Sequence, residues 1–163
     1  MRAKFAEDYY IRVLLQKARI ADVMTSPSIA IDVDEPFSRV PQVFNSHHIR
    51  HLPVINKDKK LVGLITQSDL YKIQPPRKLE TGEWYYDEEA LNNVELGRVM
   101  NTELFTLTPD QAIAQALEAM VKEKYGCVPI VDSNNVLVGI LTQYDFLKMA
   151  VDILEEGAGK EGP

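Results

Sequence analysis

Two short segments hold the residue types most capable of binding chemistry: Thr66-Gln67-Ser68-Asp69 and Thr142-Gln143-Tyr144-Asp145. In each, a threonine stands where an apolar run ends and a helix is expected to begin, with an aspartate three residues on. This spacing serves as a capping box, in which the threonine accepts a backbone N–H bond and the acid favours the positive helix end. The same free N–H groups and hydroxyl also suit a phosphate, because a helix start is an anion site. Both readings stay open at this point.

A second group is His47-His48-Ile49-Arg50-His51, the most basic spot on a chain of formal net charge -6. It lies immediately before the apolar run Leu52-Pro53-Val54. Arg50 offers a planar fork of donors suited to phosphate, and His51 gains charge where a nearby anion raises its pKa. Together they favour a phosphorylated ligand. A surface salt bridge of little energetic worth would account for Arg50 without one. His47 and His51 have the i, i+4 spacing of H-E-x-x-H zinc sites, yet His48 stands where the glutamate should be and Pro53 closes any helix. No metal is therefore expected. Nucleophilic catalysis is not expected either, because Cys127 has no base beside it in sequence and Ser68 is matched by Tyr144 in the second segment.

The elements that position these residues follow from a duplication. Residues 61 to 72 read LVGLITQSDLYK and residues 137 to 148 read LVGILTQYDFLK, with seven of twelve positions identical at an offset of 76. The same offset pairs Val23-Met24 with Val99-Met100, Asp34 with Asp110 and Pro53 with Pro129, giving 11 identities over 55 ungapped positions. Ordinary residue usage would give about one in fifteen. The two halves therefore share a fold.

Hydrophobic period and punctuation give each half the order β-α-β-β-α. In the first, Ser28 to Ile31 reads as a short strand. Residues 36 to 47 read as a helix that Pro41 weakens, and the proline-free counterpart, residues 112 to 123, is the clearer helix. Leu52 to Ile55 and Leu61 to Ile65 read as a hairpin, matched by Val128 to Val131 and Val136 to Leu141. A last helix opens at Thr66 in one half and Thr142 in the other. The predicted class is α+β: an N-terminal helix over residues 1–19, repeats over 20–74 and 96–152, a linker insert over 75–95 and a flexible tail over 153–163. In the insert, Trp84-Tyr85-Tyr86 read better as anchors of the connection than as a lid over a ligand. Asp87 opens a short helix through Val94. The stretch from Tyr9 to Ile20 is amphipathic and suited to packing on the pair or on a dimer mate, and the Gly-rich residues from Glu155 onward suggest fraying.

Composition narrows the classes further. The hydrophobic fraction of 45% and charged fraction of 26% are those of a globular protein. Net acidity disfavours nucleic acid and anionic lipid as partners. A single cysteine cannot form an intrachain disulfide, which points to a reducing cytoplasm. No apolar run reaches the roughly 18 residues of a membrane helix, and the N-terminus lacks a signal-peptide pattern.

The order of a V-M opening, an x-L-P-V-type strand and G-x-x-T-x-x-D, present twice over residues 20 to 150, resembles the CBS domain family. The resemblance implies a stand-alone, bacterial-type tandem pair (a Bateman module), packed with pseudo-twofold symmetry around two clefts and without catalytic activity. It implies an adenosine-containing ligand (AMP, ADP, ATP or S-adenosylmethionine) in a cleft, with no cofactor required. It also implies a homodimer formed through helices into a disc, and a regulated partner protein not identified by the sequence. Asp69 and Asp145 would then accept bonds from ribose hydroxyls. In related pairs, the residues before the L-P-V strand share a pocket with the Thr and Asp of the other repeat. This groups Ile49, Arg50 and His51 with Thr142 and Asp145, and Tyr125, Gly126 and Cys127 with Thr66 and Asp69. Because the second set lacks a cation, the Asp145 pocket is expected to be the stronger. The reading from a different class is a ligand-free dimerisation scaffold in which both threonine–aspartate pairs are only caps.

Overall fold

A computed structural model of the chain describes residue 13 and residues 15–158, without the side chains of 156–158. Most of the expected N-terminal helix, and residues 159–163, lie outside the described residues. Residues 15–17 are helical and lead into a 3₁₀ turn, Ile20–Asp22. The chain divides into two units. One gathers the described residues up to Ser28 with Phe105–Ser133 and those from Val138 onward; the other holds Ile29–Leu104 and Asn134–Leu137. The units thus do not coincide with the sequence repeats.

The unit beginning at Ile29 is built on a three-stranded sheet of order β1-β2-β3, with β1 Ile31–Asp32, β2 His51–Ile55 and β3 Leu61–Thr66. β1 runs parallel to β2, pairing Ile31 with Val54, and β2 runs antiparallel to β3, pairing His51 with Thr66 and Val54 with Gly63. The hairpin turn closes on Asn56, whose side-chain oxygen accepts from the N–H groups of Asp58 and Lys60 at 3.0 Å each. β1 is shorter than the expected Ser28–Ile31 strand and lies at its end. Helix α1, Arg39–His47, forms in spite of Pro41. Pro41 is its third residue, where the missing N–H would have no intrahelical acceptor, so the ring is tolerated. His48, at φ 53°, ends the helix in the left-handed conformation and donates its N–H to Phe44. Helix α2, Gln67–Ile73, starts one residue after Thr66, which is its cap.

The insert adds a ribbon of β4, Arg77–Lys78, and β5, Trp84–Tyr85, followed by helices α3, Glu88–Asn92, and α4, Leu96–Val99. Asp87 caps α3 by accepting from the Ala90 N–H at 3.1 Å. Of the three aromatics, only Tyr86 packs against this unit's core of Phe37, Phe44, Leu52, Ile65 and Leu91. Burial and the neighbouring Tyr71 push its phenol pKa up. Trp84 is 66% exposed with Lys78 5.6 Å above its ring, so the anchoring role expected of the whole triplet falls to Tyr86 alone.

The other unit holds helix α5, Ile113–Lys122, the strand pair β6, Cys127–Val131, and β7, Leu137–Thr142, and helix α6, Gln143–Ala158. Its core comprises Ile20, Leu107, Ile113, Ala116, Val128, Ile130 and Leu141. The opening strand of the second repeat shrinks to one parallel bridge, Leu107 to Ile130. Residues 153–158, assigned to the flexible tail, are the end of α6.

Each repeat's opening V-M segment packs on the hairpin numbered with the other repeat. Thr25 bridges to Ile140 in one unit and Asn101 to Leu64 in the other, two backbone bonds each. The glycine of each L-V-G strand makes room for this crossing. A Cβ on Gly139 would lie 2.6 Å from the Met24 sulfur and 3.1 Å from the Thr25 carbonyl, and one on Gly63 would run into Met100. Gly139→Ala should therefore lower stability by about 1–3 kcal/mol through overpacking. In urea titrations, that cost should shrink in a Met24→Ala background, as contacting residues couple in a double-mutant cycle.

Candidate functional site

Each unit places one threonine–aspartate corner at the junction of its hairpin and the following helix. At the first, the Thr66 N–H and hydroxyl both donate to one carboxylate oxygen of Asp69, at 3.0 and 2.6 Å, and the Asp69 N–H donates back to the hydroxyl at 3.2 Å. This is a complete capping box. The first N–H of α2, on Gln67, donates to the Arg50 carbonyl at 3.0 Å. Two of the helix's first three N–H groups are thus already bonded, and the supply of free donors expected at its start is correspondingly reduced. The other Asp69 oxygen faces Lys72 at 3.6 Å.

The second corner is built alike but set deeper. The Thr142 N–H and hydroxyl each donate to Asp145 Oδ2 at 2.7 Å. Asp145 Oδ1 accepts from the Thr25 hydroxyl at 2.9 Å, a bond from a residue 120 positions away. Asp145 is only 8% exposed, and both of its oxygens are engaged. The first N–H of α6, on Gln143, donates to the Gly126 carbonyl at 3.4 Å. Thr25 escaped sequence reading: its counterpart under the repeat offset is Asn101, and a lone hydroxyl so distant in sequence gives no spacing signal.

In its own unit, the residues preceding each central strand therefore touch the helix start through backbone. Ile49 is half-buried against the core, while Arg50 is exposed and forms no ion pair among the described residues. The salt bridge that would explain Arg50 without a ligand is not formed there. His51 sits at the start of β2 opposite Thr66. Burial, and then the Arg50 charge, hold its pKa below the ordinary histidine value. The added charge expected of His51 is thus disfavoured in the chain as it stands, and would need an anion's field to appear.

The three corresponding residues of the other unit differ in kind. Tyr125 stacks on Phe105 with ring centroids 5.8 Å apart and an interplanar angle of 18°. The two rings edge an open hollow of about 420 Å³ along α5, completed by Gln115, Glu118, Ala119, Lys122 and Glu123. Gly126 contributes its carbonyl. Cys127 is buried, and desolvation pushes its thiol up to about 12, so it is a neutral packing group. Among the described residues, no group of three or more His, Cys, Asp or Glu is gathered as a metal site, and no helix is long and apolar enough to cross a membrane.

The CBS domain family model matches residues 20–75 and 96–152. The chain belongs to the CBS domain family and carries two copies of the domain, a class that is generally regulatory rather than catalytic. Homoserine O-acetyltransferase of Methanococcoides burtonii is 28% identical over 142 residues, which make up 87% of this chain and 26% of that protein. The chain thus spans about a quarter of that relative's length. Among solved structures, a candidate acetoin utilization protein (AcuB) from Vibrio cholerae matches with a TM-score of 0.72 at 27% identity, covering 89% of this chain and 98% of that one. The CBS domain pair of protein MJ0100, solved with 5′-methylthioadenosine and S-adenosyl-L-methionine, shares the fold with a TM-score of 0.67 at 24% identity, covering 83% and 97%.

Two outcomes follow from this geometry. Asp145→Ala should cost about 1–3 kcal/mol in urea denaturation, since it leaves the partly buried Thr142 donors and the Thr25 hydroxyl without their shared acceptor. Asp69→Ala, at a more exposed cap, should cost about 1 kcal/mol. The His51 shift sets a pH dependence of definite sign. Because the unfolded chain binds this proton more readily than the folded one, stability is full above about pH 6.5 and is lost as pH falls below it. The drop in urea midpoint between pH 7.5 and 5.5 should be smaller in His51→Gln than in the natural chain.

Proposed function

We propose that the chain is a non-catalytic regulatory module that binds an adenosine-containing ligand and passes the resulting change to a partner protein. The observation that carries this reading is the recurrence, once per unit, of a hydroxyl and a carboxylate fixed at the head of a helix. Asp145 and Asp69 are the proposed acceptors for ribose hydroxyls, and Thr142 and Thr66 the proposed phosphate or sugar contacts. Arg50, whose guanidinium forms no ion pair among the described residues, and His51 are the cationic contacts before β2. Ile49, Tyr125, Gly126 and Cys127 are the remaining proposed ligand-lining residues, with Cys127 and Gly126 acting through shape and backbone. The adenosyl compounds bound by the MJ0100 pair support the ligand class. A homodimer in a reducing cytoplasm completes the reading.

Each threonine now spends its hydroxyl proton on the aspartate three residues on. A ligand must exchange for that bond, so affinity rests on replacing it rather than on filling idle donors. The cap and the binding site are therefore two states of one set of groups. The scaffold reading is favoured by the completeness of the Thr66–Asp69 box, which needs no ligand for its stability.

A thermal-shift panel of AMP, ADP, ATP, S-adenosylmethionine and 5′-methylthioadenosine separates the two. Ligand at 100 times Kd adds about 2.7 kcal/mol, a rise of several degrees for a domain of this size. At least one adenosyl compound should raise the melting temperature, and Arg50→Ala should weaken the phosphorylated members selectively. If none does so at millimolar concentration, the scaffold reading replaces the sensor.

A further inference from the structure

The ribbon of β4 and β5 belongs to residues 76–95, which lie between the two segments that the CBS family model matches. Every residue of both strands is exposed, so the ribbon covers no core with either face. A two-stranded ribbon by itself is marginal in water, and this one is held at its root. There Arg77 pairs with Asp87 at 3.2 Å, and the Asp87 N–H donates to the Gln74 side chain at 3.0 Å. Core packing therefore does not account for the large apolar groups the ribbon presents, Leu79, Trp84 and Tyr85, all of them exposed. Tryptophan and tyrosine held in this way are the residue types that carry most binding energy at interfaces.

Charge defines what fits there. Residues 76–95 carry six carboxylates against two cations, and so four of the chain's six net negative charges. Asp87 is paired with Arg77 and Glu95 with Arg98, whereas Glu80, Glu83, Glu88 and Glu89 are exposed and form no ion pair among the described residues. Lys78 stands opposite Trp84 across the ribbon, which puts both side chains on one face, and its ammonium lies 5.6 Å from the ring centroid. The ring thus already holds a cation of the chain's own at cation–π range. A planar guanidinium is more weakly hydrated than an ammonium, stacks on such a ring more readily, and keeps N–H groups for a carboxylate.

We propose that the insert is the docking surface for a basic, arginine-bearing segment of the partner protein. One guanidinium displaces Lys78 from the Trp84 ring, while Glu80 and Glu83 around the turn, with Glu88 and Glu89 at the start of α3, supply the opposite charge. The same carboxylates repel nucleic acid and anionic lipid, which leaves a cationic polypeptide as the occupant. The docking surface rests on the partner relay of the proposed reading and gives that partner its chemistry.

Fluorescence anisotropy of labelled hexa-arginine and hexalysine peptides, titrated with the full chain in about 0.15 M salt and without nucleotide, tests the surface. The arginine peptide should bind at least about threefold tighter than the lysine peptide of equal charge. Unlabelled, it should also change the emission of Trp84, the chain's single tryptophan. Trp84→Ala should erase the preference for arginine, and Glu80→Gln with Glu83→Gln should weaken the arginine peptide at least about fivefold. All three side chains are exposed, so far-ultraviolet circular dichroism should show folded variants. Glu118→Gln with Glu155→Gln removes the same charge from exposed positions of the other unit and should leave affinity within about twofold. The docking surface is overturned if the arginine peptide does not bind at about 1 mM, or if Trp84→Ala keeps the natural preference. An equal loss in the Glu118 and Glu155 variant also overturns it, since the attraction is then spread over the whole acidic chain. Trp84 emission that shifts with protein concentration alone assigns the ribbon to a second copy and overturns the basic segment. A chain that fails here yet melts higher with an adenosyl compound loses the docking surface alone, and one that binds the peptide but answers no nucleotide loses the sensor alone.

Discussion

The bond from the Thr25 hydroxyl to the buried Asp145 carboxylate joins two segments 120 positions apart. It fastens the opening segment of the first repeat onto the helix start of the second. A carboxyl group so little exposed must have its oxygens satisfied by donors. Asp145 meets this requirement with Thr25 on one oxygen and the Thr142 N–H and hydroxyl on the other. The crossing of Met24 over Gly139 brings Thr25 within reach, so packing and polar satisfaction depend on each other. Where the same crossing occurs in the other unit, Asn101 stands in place of Thr25. Its side chain turns to the Glu103 carbonyl instead, and Asp69 is left more exposed with only Lys72 at its second oxygen.

That difference gives the two corners unequal characters. The Asp145 corner is held both by its local Thr142 partners and by Thr25 from far along the chain. The Asp69 corner is a local cap whose partners all lie within a few residues. Arg50 and His51 accompany the local corner through the Gln67–Arg50 backbone bond, and the aromatic pair Phe105–Tyr125 lies in the unit of the Asp145 corner. A duplicated sequence has thus diverged into one corner with cations beside it and one with aromatics.

The order of strands and helices was legible because the apolar residues of each repeat alternate or recur at helical spacing, and because the second copy checks the first. Pro41 misled only as far as local propensity does: its position in the first turn removes the penalty that a mid-helix proline carries. The threonine–aspartate pairs were legible for the same local reason, since a capping box spans four residues. The depressed pKa of His51 was not, because desolvation at the head of β2 and the Arg50 charge act through the folded surroundings. Nor could the insert be read in detail. Three adjacent aromatics look alike in sequence, while the fold places Tyr86, just past the ribbon strand Trp84–Tyr85, against the core and leaves Trp84 outside.

By itself, the sequence determined the duplication, the family, the β-α-β-β-α order and the two capping corners, all of which depend on spacing within a few dozen residues or on one repeat offset. The tertiary structure alone decided that the compact units exchange their opening segments. It also decided that Thr25 completes Asp145 across 120 positions, and that the β4–β5 ribbon leaves Trp84 uncovered. These outcomes turn on which surfaces meet once the chain is folded. Hydrogen bonding and burial act through space, and the linear order of residues does not carry that distance.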